Sequence, residues 1–388
     1  MRIFEGMKIL FEAVQVELRH FRKWEEWISI FFKTGEYIWL LPLRWDDLSK
    51  SLKISRKVSQ ILICALGILY NIARGVYSIY VMATVNFAEV GRDELVALLI
   101  DGISRGFGIL VFVWQLKNMG GSVNMLNEVY GLHKKYKEKQ YRDGTRDGND
   151  GLSFLIFAIV GFHILPFCSL VDHVRHRDAS RHFGSVLLPD AVYNSMAGII
   201  GFALLELLFG ISNGWFMAFF GMIQAILYTT TTRYFLNSNI KQPSSKLWEI
   251  HLIRTHGVLN SAYNDLYSKA AWPMQQYMLG AFHTLAIVGT IKSSDILEKI
   301  GLILFIVLLT CFEAACFNAA ASVYQASGVL QSEMVRSSKK MEKRVGRSVR
   351  RMRIMVGSLY YFKTSTINTF IMEVVNYVIL ILLTFRSF

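Results

Sequence analysis

Cysteine, proline and charged residues are all scarce in this sequence. Only four of its 388 residues are cysteine and five are proline, and charged residues make up 18%, below the roughly 25% of soluble domains. The cysteines lie within or at the edge of apolar runs: Cys64, Cys168, Cys311 and Cys316. No two of them lie in loops, so we expect buried thiols and no extracellular disulfide framework.

The motifs of common enzymes and nucleic-acid-binding proteins are also missing. The sequence holds no Gly-x-Ser-x-Gly, no P-loop and no His-Glu-x-x-His, and the step from Cys311 to Cys316 does not match a zinc site. The net charge of +13 is carried by loops between apolar runs, without a zinc-finger or helix-turn-helix pattern. We therefore expect no catalytic residues, no cofactor, no metal and no nucleic-acid partner.

Apolar residues dominate instead, at 53% of the chain. Seven apolar stretches are long enough to cross the roughly 30 Å hydrocarbon core of a lipid bilayer as helices. They cover 58–82, 94–116, 152–171, 197–220, 271–291, 300–321 and 364–388. The start of the chain intersperses charges with apolar residues, which predicts an amphipathic cytosolic segment and not a signal peptide. A bend is expected near Pro42.

The basic residues fix the predicted orientation. The alternate segments up to Lys57, 117–151, 233–270 and 326–365 hold 33 lysines and arginines, whereas the opposite set of loops holds 7. Because cytosolic loops carry the excess of Lys and Arg, this pattern predicts a cytosolic N-terminus and, with seven spans, an extracellular C-terminus. That topology is opposite to the topology of a G-protein-coupled receptor.

The last apolar stretch carries a polar stripe. Glu373, Tyr377, Leu380 and Thr384 follow one another at steps of four, three and four, which places them on one helical face. A carboxylate at membrane depth is costly, so this face is expected to meet water or protein. The alternative is that Glu373 lies near the inner headgroups and Tyr377 packs in an ordinary core.

The same stretch resembles the end of the arthropod gustatory receptors, whose last helix carries Thr-Tyr, five apolar residues and Gln-Phe. Asn376-Tyr377, an apolar run and Thr384-Phe385 are similar to that motif, with one extra residue in the spacer. A second register would start at residues 369–370, and the first is preferred because it lies closer to the C-terminus. Seven spans with a cytosolic N-terminus are also the topology of the insect chemoreceptors.

The resemblance implies a fold and a function. It implies an all-α polytopic membrane protein that assembles as a tetramer around a central pore and works as a ligand-gated cation channel for taste, in the plasma membrane of sensory neurons. The implied partners are a small-molecule tastant, the lipid bilayer, further copies of this chain and co-receptor subunits. The implied domains are a cytosolic segment 1–57, a ligand-binding bundle 58–220, helical anchors 221–270 and 322–362, spans 271–321 and a pore helix 363–388. We expect the sixth span to run on into a polar tail, and the apolar positions of the anchors, such as Leu247, Trp248 and Leu252, to have nothing to bury against within one chain.

Charged and aromatic groups inside the spans are candidates for the ligand pocket. Asp101 and Arg105 lie four apart and can pair on one helix face, either as a structural pair or as part of a polar pocket. The same choice applies to Arg74, Glu206 and Glu313. The aromatic and histidine candidates in the outer halves of the spans are Tyr77, Tyr80, His163, Phe167, His283 and Phe305; the alternative for each is ordinary packing or a membrane-interface position.

The pore candidates are Glu373, Asn376, Tyr377, Leu380, Thr384 and Phe385. We expect Glu373 toward the inner end and a narrow closure at Leu380 and Thr384, with Ile379 and Leu382 facing lipid; the reverse rotation would turn Phe385 inward. Two other functions remain open. One is an odorant receptor of the same superfamily, whose last helix usually carries Tyr-Ser where this chain has Tyr377-Val378. The other is a secondary transporter, although no internal repeat is visible.

Overall fold

The computed structural model describes residues 24–37, 42–84, 92–142, 189–209, 223–233, 235–236, 247–293, 296–358 and 360–384. The predicted third span, with His163 and Phe167, lies outside these residues. The helices are α1 (Trp24–Tyr37), α2 (Val58–Thr84), α3 (Arg92–Lys117), α4 (Met119–Arg142), α5 (Asp190–Tyr193), α6 (Met196–Phe209), α7 (223–233), α8 (Leu247–Tyr267), α9 (Ala271–Lys292), α10 (Ile296–Arg336), α11 (Lys340–Ser348) and α12 (Thr366–Thr384). The strands are β1 (Leu43–Asp46), β2 (Ser51–Ile54), β3 (Met355–Val356) and β4 (Tyr360–Tyr361).

The chain is a helical membrane protein, as the sequence predicts. Within the described residues, four segments are long and apolar enough to cross a bilayer: Val58–Val81, Leu98–Lys117, Lys299–Arg336 and Thr366–Thr384. They coincide with the predicted first, second, sixth and seventh spans. The fourth predicted span begins with the shorter apolar segment Met196–Leu205 of α6.

The predicted fifth span is the central helix α9. It packs against α3, α10 and α12, and half of its side chains are buried. Contact with protein on three sides explains why this helix carries buried polar residues such as His283, which bonds α10, and Thr284, whose hydroxyl donates to the Gly280 carbonyl of the same helix.

The N-terminal part is a helix and a hairpin, where the sequence indicated only a bend and a polar run. Ile28, Phe31 and Phe32 on one face of α1 are buried, and the Phe32 ring stacks on Trp45 of β1 with centroids 6.2 Å apart. β1 and β2 pair antiparallel. The hairpin is tied to α4 through Asn127, whose side chain accepts a hydrogen bond from the Leu52 N–H and donates one to the Leu52 carbonyl.

The predicted loop 117–151 contains the 24-residue helix α4. Its buried positions Met119, Val123, Leu126 and Tyr130 recur at steps of three and four, which is the spacing of an amphipathic helix. Together with α7 and α8, α4 extends the hydrophobic core that also includes buried residues of α1, α9 and α10.

The packing of α8 corrects the expectation that the apolar residues of the helical anchors are buried only against other subunits. The apolar positions of α8 were expected to find nothing to bury against within one chain, yet Leu252 is only 9% exposed. Leu247 and Trp248 lie on α8, but their side chains lie outside the described residues. The run of the sixth span into a polar tail is confirmed, because α10 continues without a break for 41 residues. In 322–362 the chain then forms α11 and the β3–β4 hairpin.

Candidate functional site

A buried ion cluster joins α2 to α3. Arg105 Nε lies 2.9 Å from Asp101 Oδ1, so the predicted pair forms. Arg74 of α2 approaches the other oxygen of the same carboxylate at 3.8 Å, and the Ser78 hydroxyl donates to that oxygen at 3.3 Å. Arg105 also reaches the Asn71 side-chain oxygen at 3.5 Å. One carboxylate therefore holds two guanidinium groups from two helices.

The burial of this cluster makes it a strong constraint on the packing of α2 and α3. Arg74 and Arg105 are 2% and 3% exposed, while 15% of the Asp101 side chain is accessible. An ion pair removed from water must keep its geometry and its hydrogen bonds to repay the cost of desolvation. The cluster therefore fixes the register of α2 against α3, and its most accessible member is the carboxylate.

The other predicted ligand residues are spread over the bundle. Tyr77 is buried with Val81 and Leu98, whereas Tyr80 is 60% exposed. The Glu206 side chain lies outside the described residues, although its backbone belongs to α6. Phe305 of α10 meets Phe282 of α9 edge to face. The described residues thus bring together Asp101 and Arg105, but place the aromatic candidates in separate contacts.

His283 of α9 is held by α10 through both ring nitrogens. Its Nδ1 lies 3.1 Å from Glu313 Oε1, and its Nε2 lies 3.0 Å from Thr310 Oγ1. His283 and Glu313 are 5% and 2% exposed, so the two helices share a buried polar contact. Its hydrogen bonds are therefore a means of holding α9 and α10 together.

Phe370 of α12 packs against the His283 ring that joins α9 to α10. Its ring meets the His283 ring edge to face at 6.2 Å and the Phe317 ring at 5.5 Å. A Cβ added at Gly280 would lie 3.6 Å from the Phe370 ring, an ordinary van der Waals distance, so the ring edge lies over Gly280 with room for one methyl group. One residue of the candidate pore helix thus contacts α9 and α10 together.

The faces of α12 are sharply divided. Val374 and Val378 are buried against Val288 of α9. Glu373 and Tyr377 each precede one of these valines by one residue and are exposed in the single chain. Because one residue step rotates an α-helix by about 100°, the polar stripe points away from the packed face and to one side.

All the pore candidates within the described residues lie on exposed parts of α12. They are Glu373, Asn376, Tyr377, Leu380 and Thr384, and Phe385 lies outside the described residues. Ile379 is exposed in the single chain, as the pore candidates are. Leu382 is half-buried and packs partly against the valine cluster. The lipid-facing position expected for these two residues stays a prediction.

A buried aromatic network joins α4 to α8. Tyr136 of α4 bonds its hydroxyl to His256 Nε2 of α8 at 2.7 Å, and Phe235 stacks on the His256 ring at 4.1 Å. Burial lowers the pKa of His256 from 6.5 to about 3 and raises the pKa of Tyr228 to about 12. Both groups are therefore neutral at physiological pH. In the part of the chain that the structure describes, no group of three His, Cys, Asp or Glu side chains could hold a metal ion.

Sequence reasoning missed the residues that hold α12 against α9 and α10. Phe370 and Gly280 stand in apolar runs that offer no signal of contact, and Thr310 is one of several hydroxyl residues in the spans. Arg74 and Glu313 were candidates for structural pairs: Arg74 forms an ion pair with Asp101, and Glu313 lies within hydrogen-bond distance of His283.

No protein-family model and no curated protein match the sequence. Solved structures match over nearly the whole chain. The insect olfactory receptor OR5 from Machilis hrabei superposes with a TM-score of 0.62 at 12% identity, over 94% of this chain and 98% of that chain. The same receptor in complex with eugenol gives a TM-score of 0.65 at 11% identity, over 94% and 99%.

This chain has the fold of an insect olfactory receptor. The chemoreceptor fold expected from the topology and the last helix is thereby confirmed. At 11–12% identity, most side chains of this chain differ from those of the olfactory receptor. The side-chain contacts described above therefore belong to this chain and are not carried over from that receptor. The gustatory resemblance of the last helix remains a prediction.

Proposed function

We propose that this chain is a subunit of a taste receptor that is itself a ligand-gated, non-selective cation channel. Four copies surround a central pore, and each contributes α12 to the wall. The observation that carries the proposal is the division of α12, where Val374 and Val378 pack on the chain's own bundle while Glu373 and Tyr377 stay exposed. A helix that lines a water-filled path needs such a polar face.

The charges agree with cation conduction. Glu373 is the only carboxylate of α12, so a four-fold assembly would present four of them as a ring toward the cytosolic end. Such a ring favours cations over anions. Leu380 and Thr384, about two and three turns further out, then form the closure, with Thr384 turned inward as a continuation of the stripe.

The contacts of Phe370 suggest how the bundle drives the pore helix. A tastant that enters the bundle 58–220 from outside changes the packing of α3 against α9, and α9 carries both Gly280 and His283. Movement of α9 relative to α10 changes the contacts of the Phe370 ring with His283 and Phe317 and allows α12 to move. The cytosolic segments 221–270 and 322–362 keep the subunits together while the pore helix moves.

An odorant receptor channel is the second candidate, and the comparisons favour it. Both similar structures are of an olfactory receptor, and one of them is in complex with eugenol. A volatile aromatic ligand would find the aromatic residues of α2, α9 and α10 as suitable as a tastant would. Localisation to the plasma membrane of sensory neurons, and assembly with co-receptor subunits, belong to either proposal.

Expression in cells with a calcium reporter and patch-clamp recording tests the function. Sugars, bitter alkaloids and volatiles are applied in separate panels, and unitary currents evoked by one panel identify both the channel and its ligand class. Cells that express an empty vector are the control. Saturable uptake without unitary currents would contradict the channel and indicate a secondary transporter.

Epitope tags test the orientation. A tag after Phe388 is expected to stain on intact cells, and a tag at the N-terminus only after permeabilisation, because 33 basic residues lie in the segments assigned to the cytosol. The reverse staining would overturn the orientation.

A further inference from the structure

Three cations gather on a pair of tyrosines just before α12. The rings of Tyr324 (α10) and Tyr361 (β4) lie 4.7 Å apart. Arg351 lies over the Tyr324 ring at 5.8 Å, and Arg353 and Lys363 lie over the Tyr361 ring at 5.3 and 5.0 Å. We call these five residues the tyrosine platform.

Hydrogen bonds hold the tyrosine platform in place. Arg351 donates to the Tyr324 hydroxyl at 3.3 Å and to the Gln331 side chain at 3.2 Å. The Arg353 carbonyl accepts hydrogen bonds from the side chains of Asn260 and Asn264 of α8 at 3.1 and 2.8 Å. The backbone that carries the three cations is therefore fixed, while the side chains of Arg351, Arg353 and Lys363 remain exposed.

Local acidic residues are too few to balance this charge. Between residues 339 and 363 the sequence has nine lysines and arginines, and its one acidic residue is Glu342. Glu342 is already engaged by Lys339 and by the Ser337 hydroxyl. Exposed guanidinium groups in a fixed arrangement are suited to bind phosphate oxygens in a forked geometry.

Two independent measures place the platform at the depth of lipid headgroups. Lys363 lies three residues before the first residue of α12, which begins the last apolar span. Along α10, Tyr324 is 24 residues from Ile300, where the predicted sixth span begins, which corresponds to about 36 Å at 1.5 Å per residue. This is slightly more than the roughly 30 Å hydrocarbon core, so both measures end in the headgroup layer.

We propose that the tyrosine platform binds the phosphate headgroup of an anionic phospholipid in the cytosolic leaflet. The inner leaflet is rich in such lipids, and juxtamembrane cations are attracted to them. The site connects α10 to the start of α12, so a bound headgroup ties the pore helix to its neighbour at the membrane surface. The choice of leaflet rests on the orientation proposed above, which tag staining tests separately, whereas the binding measurement below does not depend on orientation.

Native mass spectrometry of the full chain, purified in detergent, tests the proposal. Phosphatidylinositol 4,5-bisphosphate, phosphatidylserine and phosphatidylcholine are added separately, and the bound lipid is counted. We expect binding of the two anionic lipids, with the bisphosphate bound more tightly, and weak binding of phosphatidylcholine. Equal binding of phosphatidylcholine would overturn the proposal, because the contact would then not be with the anionic headgroup.

Two matched triple variants locate the site. In the first, Arg351, Arg353 and Lys363 are changed to Gln, and in the second, Lys340, Lys343 and Arg344 of α11 are changed to Gln. α11 packs beside Met334, about 15 Å further along α10 from the bilayer, so its cations are too deep in the cytosol to reach headgroups. Each lost cation near an anionic surface weakens binding by about fivefold, so the first variant is expected to bind about a hundredfold more weakly and the second nearly as the parent does.

Two further results separate the alternatives. Equal loss in both variants would mean diffuse attraction to the whole basic segment, and would overturn the platform as a site. Soluble inositol 1,4,5-trisphosphate that binds as tightly as the lipid would show a soluble ligand in place of a membrane lipid. Lys363→Gln alone, which removes no side-chain hydrogen bond among the described residues, guards against misfolding and is expected to weaken binding about fivefold.

Discussion

The ring of Phe370 meets the ring of His283 edge to face, with centroids 6.2 Å apart. Since the same His283 is hydrogen-bonded to Glu313 and Thr310, this one contact connects the candidate pore helix with two helices of the bundle. The resting position of α12 therefore depends on a few side chains near its N-terminal end.

Phe370→Ala is expected to loosen the pore helix. Two aromatic contacts, with His283 and Phe317, are lost, and together they are sufficient to shift the gating equilibrium by about tenfold. We expect a higher basal current and a half-activating ligand concentration lower by about tenfold, measured by patch clamp. Unchanged gating in a variant that reaches the cell surface would contradict the coupling.

Substitutions of increasing size at Gly280 test the same contact of the Phe370 ring. Gly280→Ala adds a Cβ that fits at 3.6 Å from the Phe370 ring, so its gating is expected to stay close to that of the parent, whereas Gly280→Leu displaces the ring and reproduces the effect of Phe370→Ala. Gly301→Ala is the matched control, because nothing lies within 4 Å of a Cβ there.

The ion cluster predicts unequal effects of its members. Asp101→Asn leaves two buried arginines without their shared carboxylate, and breaking such a pair costs about 3 kcal/mol, so surface expression is expected to fall strongly. Arg105→Gln is expected to be milder, because Arg74 still faces Asp101. The double variant should lose less than the sum of the two single losses, measured by flow cytometry of surface-tagged protein. Strict additivity would mean that the pair is not coupled, and Asp190→Asn, at an exposed position, is the control.

The polar face of α12 predicts accessibility and selectivity. Thr384→Cys is expected to be blocked by external thiol reagents in open channels, whereas Ile379→Cys on a different face is expected to be insensitive. Glu373→Gln is expected to lower the preference for cations, read from reversal potentials in dilute salt, because it removes the ring of carboxylates. The opposite pattern of thiol block would show that the helix is rotated from the assigned face.

The buried His256 makes the packing of α8 against α4 sensitive to acid. Its pKa is about 3 in the folded chain and 6.5 when exposed, so the unfolded state binds more protons between these values and stability falls as the pH is lowered below 6.5. At pH 5 the loss from this group is about 2 kcal/mol. Thermal unfolding of the detergent-solubilised protein at pH 7.5 and pH 5 measures it. His256→Gln is expected to reduce the difference between the two pH values, and an equal difference in both proteins would contradict the assignment.

The sequence predicted the membrane helices well because lipid dictates their composition. The bounds of α2, α3, α9, α10 and α12 agree with the predicted spans to within a few residues, except where α10 continues into its expected polar tail. Charge at membrane depth also predicted partners, and Asp101 indeed pairs with Arg105.

The parts that the sequence did not predict depend on contacts between distant residues. Strands of two residues, such as Met355–Val356, are too short to show an alternating pattern. The burial of Leu252 could not be separated from burial against another subunit, since an amphipathic helix has the same pattern in both cases. Phe370 is one of 27 phenylalanines, and only the packed structure shows that it lies opposite Gly280.

The unbroken length of α10 makes it a lever. Its 41 residues extend over about 61 Å, of which roughly half lies beyond the hydrocarbon core. An α-helix without proline or a bulge resists sharp bending, so a slight tilt at its outer end becomes a displacement of several ångströms at Arg336. The contact of Glu313 with His283 lies near the middle of α10, so a tilt of α10 would turn about this point. A small tilt near Ile296 is therefore amplified along α10 into a much larger displacement at Arg336, the end that the charge pattern predicts to lie in the cytosol.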